Sequence, residues 1–194
     1  DFIPPLSYDR LFVPDYRGSI SGAGFMENPA VNRKMDPRDL AHLVALYDGE
    51  IRFTDEILGK ILDVLRARGT QDDTLTVITA DHGEEFFEHN GKGHQKTLFD
   101  EVVRVPLVLH WPGQLPAGHV VSDQVRSIDL MPTLLGVARA SKLPQMQGRD
   151  ILPLAQRSAL PPQSAMLELH ADGQDQRALR TRELKAYARG AAQG

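Results

Sequence analysis

The sequence contains no cysteine among its 194 residues. This absence excludes disulfide bonds, cysteine-ligated zinc, iron–sulfur clusters and a thiol nucleophile. An excess of one charge is also missing, because 22 Lys and Arg stand against 26 Asp and Glu, for a formal net charge of -4. The basic footprint of a nucleic-acid-binding surface is therefore absent, and we expect no nucleic-acid partner.

Long apolar runs are missing as well. A membrane helix needs roughly 20 consecutive apolar residues, and no stretch approaches that length, so we expect no transmembrane segment in this chain. The opening residues, Asp1–Pro5, lack the basic start and apolar stretch of a secretion signal. They begin inside a region that is typical of a loop. We therefore expect the chain to be a fragment that lacks an N-terminal part of the same domain.

The pattern of Pro and Gly divides this expected single, partial domain into three parts. Residues 1–36 are predicted to form an irregular arm that needs a surface to lie against. Residues 37–139 are predicted to form the α/β core, and residues 140–194 a loop followed by short strands. The strands flank Asp172-Gly173, which favours a small C-terminal strand pair, and the tail after Arg189 is expected to fray.

A long amphipathic helix opens the core. Asp36 is a candidate N-cap, Pro37 suits the first helical position, and apolar residues recur at intervals of three and four as far as Leu65. Gly69 ends the pattern. This pattern predicts one buried helix face.

Two strands are predicted after this helix. Residues 74–80 are short and rich in β-branched side chains, as in a buried strand of a parallel sheet, and residues 105–111 form the next candidate. Asp129 can cap a further helix that tolerates Pro132 in its first turn. A helix followed by a buried strand is half of a βαβ unit, so we predict an α/β fold with a mostly parallel sheet flanked by helices.

Candidate chemistry is concentrated in residues 81–104. Asp81 and His82 directly follow the first predicted strand, at the end where open α/β sheets bind ligands. A carboxylate beside an imidazole can hold Zn²⁺, Mn²⁺ or, with further carboxylates, Ca²⁺. Gly83 is expected to let the backbone turn sharply. The alternative is a solvated polar loop with one capping Asp, since two adjacent ligands are fewer than usual metal sites need.

The same segment concentrates cationic and titratable side chains, namely His82, His89, His94, Lys92 and Lys96. Imidazole and ammonium groups beside a metal suit an anionic substrate, such as a phosphate or sulfate ester. Glu50 and Asp55 could reach a site, but carboxylates on a helix more often belong to a solvated face. Arg104 could touch an anion, although pairing with a neighbouring acid, Asp100 or Glu101, is the simpler interpretation.

Five motifs occur in collinear order, within a match that covers roughly residues 1–185. They are Tyr47-Asp48-Gly49-Glu50-Ile51 with Asp55, Thr79-Ala80-Asp81-His82-Gly83-Glu84, Gly93-His94-Gln95-Lys96-Thr97-Leu98-Phe99-Asp100-Glu101, Arg104-Val105-Pro106-Leu107 and Asp129-Leu130-Met131-Pro132-Thr133-Leu134-Leu135. Together they resemble the sulfatase family of the alkaline-phosphatase-like superfamily. The resemblance implies a partial alkaline-phosphatase-like fold and a sulfate-ester substrate.

The resemblance also implies roles for individual residues. Asp81 and His82 match ligands of a divalent metal, commonly calcium in sulfatases and zinc or manganese in related phosphatases. His94 and Lys96 match the catalytic stretch that binds the sulfate and the leaving-group oxygen. Either residue can contact the sulfate, and the other then contacts the leaving-group oxygen.

The sequence departs from the family pattern at the nucleophile. Family members carry a Cys or Ser that becomes formylglycine, within a Cys-x-Pro-Ser-Arg or Ser-type motif, and this chain has no Cys. Residues 122–126 have the Ser-to-Arg spacing without the Pro or Ala, and they follow the metal motif instead of preceding it. We therefore expect this chain alone to be inactive.

Three functions remain open from the sequence. The first is the C-terminal part of a metal-dependent sulfatase-like hydrolase. The second is a phosphodiesterase, phosphonate hydrolase or phosphoethanolamine-type transferase of the same superfamily, and the third is a non-catalytic binding module. Family members are often exported, which favours the periplasm or exterior. Loops set specificity in such enzymes, so the arm over 1–36 and the loop over 140–163 are the candidates for substrate selection.

Overall fold

The computed structural model of the protein describes residues 1–191, in which short elements follow one long helix. The helices are α1 (Pro37–Ala67), α2 (Asp100–Val103), α3 (Leu130–Val137), which follows a 3₁₀ turn at Ser127–Asp129, and α4 (Leu152–Ala155). The strands are β1 (Thr76–Thr79), β2 (Glu85–Phe86), β3 (Lys92–Gly93), β4 (Leu107–His110), β5 (Ala165–Ala171), β6 (Gln174–Arg180) and β7 (Lys185–Ala191). None of the helices in this part of the chain is both long and apolar enough to cross a membrane.

The described chain forms two compact units. The first unit combines Asp1–Gln71 with Ala80–Pro106, and the second combines Asp72–Thr79 with the chain from Leu107 onward. The sequence-based division into arm, core and C-terminal part of one domain stays a prediction.

Helix α1 confirms its predicted start and end. The Asp36 carboxylate accepts a hydrogen bond from the Arg38 backbone N–H at 2.8 Å, and Pro37 occupies the first turn. Gly69 follows the helix with a φ of 66°. The predicted buried face is only half right, because Leu43 is fully buried whereas Ile61 remains 51% exposed. The arm over residues 1–36 packs on the N-terminal half of the helix, so burial is confined there.

Aromatic packing in the first unit joins the arm, helix α1 and the β2–β3 hairpin. The ring of Phe2 lies 4.7 Å from that of Phe25, 5.4 Å from that of Tyr47 and 5.5 Å from that of Phe86, measured between centroids. Phe25 is 2% exposed. The arm is irregular, as predicted, and this apolar cluster supplies the surface on which it lies.

Strands β1 and β4 form a two-stranded antiparallel sheet in the second unit, with Thr76 opposite His110 and Thr79 opposite Leu107. Both strands fall within their predicted segments, but they are only partly buried. Every strand pair within residues 1–191 is antiparallel, so the described structure does not confirm the predicted mostly parallel sheet. Parallel neighbours need a crossover, usually a helix, and the chain between β1 and β4 holds only a small hairpin and the one-turn helix α2.

The C-terminal strands form a three-stranded antiparallel sheet in the order β5–β6–β7. The predicted turn is confirmed, since Asp172 and Gly173 have φ values of 51° and 70°, as a tight hairpin requires. The predicted strand pair gains a third strand, β7, which extends to Ala191 through the region expected to fray. Residues 192–194 lie outside the described part of the chain.

Asp129 anchors the start of helix α3 from a buried position, with 1% of its surface exposed. The helix begins at Leu130 as predicted, but the carboxylate makes no capping hydrogen bond to it. It accepts hydrogen bonds from the backbone and guanidinium of Arg126, at 2.7–3.2 Å, and from the backbone N–H of Arg149 at 3.0 Å. Burial raises the pKa of Asp129, but the bonds from Arg126 and Arg149 outweigh it and hold that pKa below its ordinary value.

The substitution Asp129→Asn should destabilise the second unit by about 2–4 kcal/mol, because Arg126 loses its buried charged partner. Urea unfolding at neutral pH measures this loss, and the exposed Asp123→Asn provides the control. The pKa of Asp129 is lower in the folded state than in the unfolded state. Its contribution to stability is therefore fully present above pH 3.8, the ordinary pKa, and is lost as the pH falls through the folded-state pKa. Equal stability of the two variants, or an Asp129→Asn protein with an unchanged acid transition, would contradict this role.

Candidate functional site

The segment over residues 81–104, which carries the predicted chemistry, belongs to the first unit together with the arm and α1. Asp81 and His82 follow strand β1 after one intervening residue, as predicted. The rest of the segment forms the β2–β3 hairpin, in which Glu85 lies opposite Gly93 and Phe86 opposite Lys92, and the short helix α2.

Asp81 and His82 present two metal-ligating atoms side by side. The Oδ2 atom of Asp81 lies 3.6 Å from Nε2 of His82, while Oδ1 accepts the His82 backbone N–H at 3.0 Å. The other ring nitrogen of His82, Nδ1, lies 2.8 Å from the Gly83 carbonyl oxygen. A carbonyl only accepts, so Nδ1 carries the hydrogen and the neutral ring keeps its lone pair at Nε2.

These two atoms fit a divalent cation only in part. Two ligand atoms that share one ion at about 2.0–2.4 Å lie roughly 3–4 Å apart, which the 3.6 Å separation satisfies. Metal sites need three or more protein ligands, and residues 1–191 contain no group of three His, Cys, Asp or Glu side chains suited to a metal. The pair therefore supplies two donors, and the described chain does not complete a site around them.

His94 lies directly beside His82. Their rings stack with centroids 3.8 Å apart and an interplanar angle of 23°. Nδ1 of His94 lies 3.2 Å and 3.3 Å from the two carboxylate oxygens of Glu84, whose side chain is only 8% exposed. A carboxylate accepts, so Nδ1 donates and Nε2 of His94 is left for another partner. The structure thus places His82 beside both Asp81 and His94.

Gly83 is required here because another backbone segment approaches it closely. Its N–H donates to the Val102 carbonyl at 2.7 Å. A Cβ at this position would lie 2.1 Å from the carbonyl oxygen of Glu101, a distance that no side chain can occupy. The sequence predicted a sharp turn at Gly83. In the structure, the close approach of helix α2 is what excludes a side chain at this position.

A buried glutamate organises the hairpin. Glu85 is 2% exposed and accepts hydrogen bonds from the backbone N–H groups of His89 at 3.1 Å and Gly91 at 2.7 Å. The Thr97 hydroxyl donates to its second oxygen at 3.3 Å. These bonds satisfy backbone donors that the tight turn leaves out of the strand ladder.

Lys92 has a structural role that the sequence did not predict. Its ammonium donates to the backbone carbonyl oxygens of Phe25, Asn28 and Val31 at 2.8, 3.0 and 2.9 Å. An ammonium has three N–H donors, so all are used by the arm. Burial lowers the pKa of Lys92, the negative charge of Glu27 opposes this shift, and the positive charge of Lys96 adds to it. This side chain ties the hairpin to the arm.

The remaining candidates have separate surroundings. Nδ1 of His89 lies 2.5 Å from a Glu101 carboxylate oxygen, and its ring stacks on Phe99 at 3.9 Å, so the structure does not group it with the His82–His94 stack. Glu101 is thus paired with His89, and the exposed Arg104 makes no ion pair within the described residues. Lys96 is exposed, two residues beyond His94.

The two helix carboxylates have different surroundings, and only Asp55 matches the simpler interpretation of a solvated face. Glu50 accepts the Ile3 backbone N–H at 2.8 Å and so fastens the arm. Asp55 pairs with Arg52 on the solvent-exposed surface of α1 at 3.1 Å.

Two glutamates with clear roles had no assigned part in the sequence analysis. Glu84 orients His94 and Glu85 holds the turn, and both follow Asp81-His82-Gly83 directly. Consecutive acidic residues normally indicate a solvated surface. Their position within a Gly-punctuated loop was the available signal, and their burial depends on contacts that the sequence does not display.

Comparison with known proteins identifies the family. The family model described as Sulfatase matches residues 9–140. The ulvan-active sulfatase of Formosa agariphila is 29% identical over 138 residues, covering 70% of this chain, and arylsulfatase K of Canis lupus familiaris is 30% identical over 158 residues, covering 79%. The chain spans only 27% and 29% of the length of these two relatives.

Solved structures agree with this family at the level of the fold. A 2-O GAG sulfatase superposes with a TM-score of 0.70 at 19% identity, covering 82% of this chain and 36% of that one. A phosphonate monoester hydrolase from Silicibacter pomeroyi superposes with a TM-score of 0.68 at 25% identity. The match covers 90% of this chain and 39% of that one. With the family model matching more than half of its residues, the chain belongs to the sulfatase family of the alkaline-phosphatase-like superfamily.

Proposed function

We propose that this chain supplies part of the active site of a sulfuric ester hydrolase, with Asp81, His82, His94 and Lys96 as its contribution. The observation that carries the proposal is the stacked His82–His94 pair, with Asp81 on one side and the buried Glu84 on the other. The relatives named as an arylsulfatase and an ulvan-active sulfatase support sulfate esters as the substrate class.

In this proposal His94 acts at the leaving-group side of the ester. Glu84 holds the Nδ1–H of His94, so Nε2 is the atom that can accept or deliver a proton at the leaving-group oxygen. Lys96, two residues further on, supplies positive charge to the sulfate oxygens. The roles of these two side chains can be exchanged, but both act on charge that develops as the ester bond breaks.

Asp81 Oδ2 and His82 Nε2 are proposed as two ligands of a divalent metal, with Ca²⁺ favoured by their membership of the sulfatase family and Zn²⁺ or Mn²⁺ if the substrate is a phosphoryl ester. A bound divalent metal would supply Lewis-acid stabilisation of the ester oxygens. The remaining ligands are proposed to come from other parts of a longer protein, since the relatives are more than three times as long as the matched region.

The nucleophile is also proposed to lie outside these 194 residues. The sequence holds no Cys, and its single Ser-to-Arg stretch of the right spacing, residues 122–126, lacks the third-position residue of the motif. A missing N-terminal part of the same domain is the proposed partner.

A second candidate reaction is phosphonate or phosphodiester hydrolysis by the same site. The likeness to a phosphonate monoester hydrolase at 25% identity favours it, because both reactions place an anionic tetrahedral group between the same kinds of ligands. A non-catalytic binding module remains the third candidate, and turnover distinguishes it from the other two.

The 194-residue chain alone should not hydrolyse p-nitrophenyl sulfate, whereas the longer natural protein that contains it should. In that longer protein, His94→Ala should lower kcat by about 10²–10⁴-fold, the usual contribution of a general acid or base. The exposed His170→Ala, in the second unit, is the matched control and should leave kcat unchanged. Arylsulfatase activity from the 194-residue chain would contradict the external nucleophile, and an active His94→Ala enzyme would contradict the role of His94.

The 194-residue chain should bind Ca²⁺, Zn²⁺ and Mn²⁺ only weakly, with dissociation constants above the micromolar range, because two protein donors are too few for a tight site. Isothermal titration calorimetry measures these constants, with Asp81→Asn as the variant that removes the charge of one donor and Asp123→Asn as the control. Submicromolar binding that Asp81→Asn abolishes would show that this chain completes the site and would contradict the proposed division of ligands.

A further inference from the structure

A cationic cleft lies beside the proposed site in the first unit. It has a volume of about 470 Å³, and its walls come from the arm at residues 31–34 and from the hairpin and following loop at residues 87–96. Four cations line the cleft, namely Arg33, Lys34, Lys92 and Lys96, and no carboxylate of the described residues lies among its lining side chains. A cleft with one sign of charge attracts ligands of the opposite sign.

Hydrogen bonds fix both walls of this cleft. Lys92 joins them, because it projects from the hairpin and donates to carbonyls of the arm, including that of Val31. On the arm side, Asn32 donates to the Pro29 and Ala30 carbonyls and accepts the Lys34 backbone N–H at 2.9 Å. The backbone segments that form the cleft are therefore held in place by hydrogen bonds.

Two of these charges lie on exposed side chains of the arm. Arg33 and Lys34 are exposed and form no ion pair within the part of the chain that the structure describes. Lys92 contributes charge but no donors, since its three N–H groups are used. Glu27 acts on Lys92 electrostatically but does not line the cleft.

The cleft adjoins the proposed catalytic residues through Lys96. Two residues of extended chain span at most about 7 Å, so the Cα of Lys96 lies within that distance of the Cα of His94. A ligand held by Lys96 on one side and by Arg33 and Lys34 on the other would therefore extend from the ester-binding residues into the cleft.

We infer that this cleft binds a second anionic group of the substrate, so that Arg33 and Lys34 select esters that carry two negative charges. The inference rests on the proposed ester-hydrolase function for the position of the first anionic group. The ligand class is a sugar or similar scaffold with a sulfate or carboxylate in addition to the sulfate ester that is cleaved. The arm then acts in substrate selection as well as in packing.

Binding to the 194-residue chain tests this inference without turnover. Galactose 6-sulfate and galactose 2,6-disulfate serve as probes, titrated at low salt and followed by NMR. We expect the wild-type chain to bind the disulfate about five- to tenfold more tightly than the monosulfate, and the double variant Arg33→Gln/Lys34→Gln to lose this preference, since exposed ion pairs contribute roughly two- to fivefold each. The monosulfate affinity should be unchanged.

The control removes equal charge from exposed positions outside the cleft, as Lys142→Gln/Arg182→Gln, and should keep the preference. A preference that survives in Arg33→Gln/Lys34→Gln, or that falls equally in the control, would overturn the inference, the latter because only net charge would then matter. The proposed function fails separately, through absent sulfate-ester turnover by the longer protein, so the two failures are distinguishable. Circular dichroism confirms that both double variants remain folded.

Discussion

The hydrogen bonds of one partly buried ammonium hold the first unit in its observed form. Lys92 projects from strand β3 and donates to three carbonyls of the N-terminal arm, which is otherwise an irregular chain without helix or strand ladders. An irregular segment can be ordered only if its backbone groups find partners and its apolar side chains find a surface. Lys92 helps to meet the first need by satisfying three arm carbonyls, and the Phe2–Phe25–Phe86 cluster meets the second.

The same anchorage constrains the loop that carries the chemistry. Phe87, Asn90 and Gln95 have φ values of 71°, 76° and 68°, a conformation that costs non-glycine residues roughly 1–2 kcal/mol each. Such strain persists only where surrounding contacts over-determine it. Glu85 bonds to backbone N–H groups inside the loop, and Lys92 ties the hairpin to the arm, so these two side chains provide those contacts. This constrained segment carries His94 of the His82–His94 stack and also lines the cationic cleft, so the fold itself positions both.

Local patterns predicted much of the structure, whereas long-range pairings did not follow from them. The Asp36 cap and the Asp172-Gly173 turn depend on neighbouring residues, and both were predicted correctly. The sequence placed Asp81, His82 and His94 in one segment rich in candidate residues, and the structure brings His82 beside the other two. The structural role of Lys92 could not be predicted, because its partners lie more than sixty positions away in sequence.

Strand direction was the other feature that local patterns could not determine. An apolar, β-branched run such as residues 74–80 fits a parallel or an antiparallel neighbour equally well, and its partner β4 is set by the intervening chain. The extent of burial along α1 was also not determined by local patterns, because apolar positions beyond its N-terminal half, such as Ile61, are exposed. Helical spacing identifies an apolar face but does not say how far along that face the arm extends.

The most direct test of this account is hydrogen exchange in the Lys92→Met protein, with the exposed Lys34→Met as the control. Methionine retains the apolar stem but leaves the carbonyls of Phe25, Asn28 and Val31 without their donor. The account predicts that exchange at the His89 and Gly91 amides, which bond to Glu85, accelerates at least about tenfold in Lys92→Met and not in Lys34→Met. Unchanged protection of these amides in Lys92→Met would contradict the claim that this ammonium holds the loop in place.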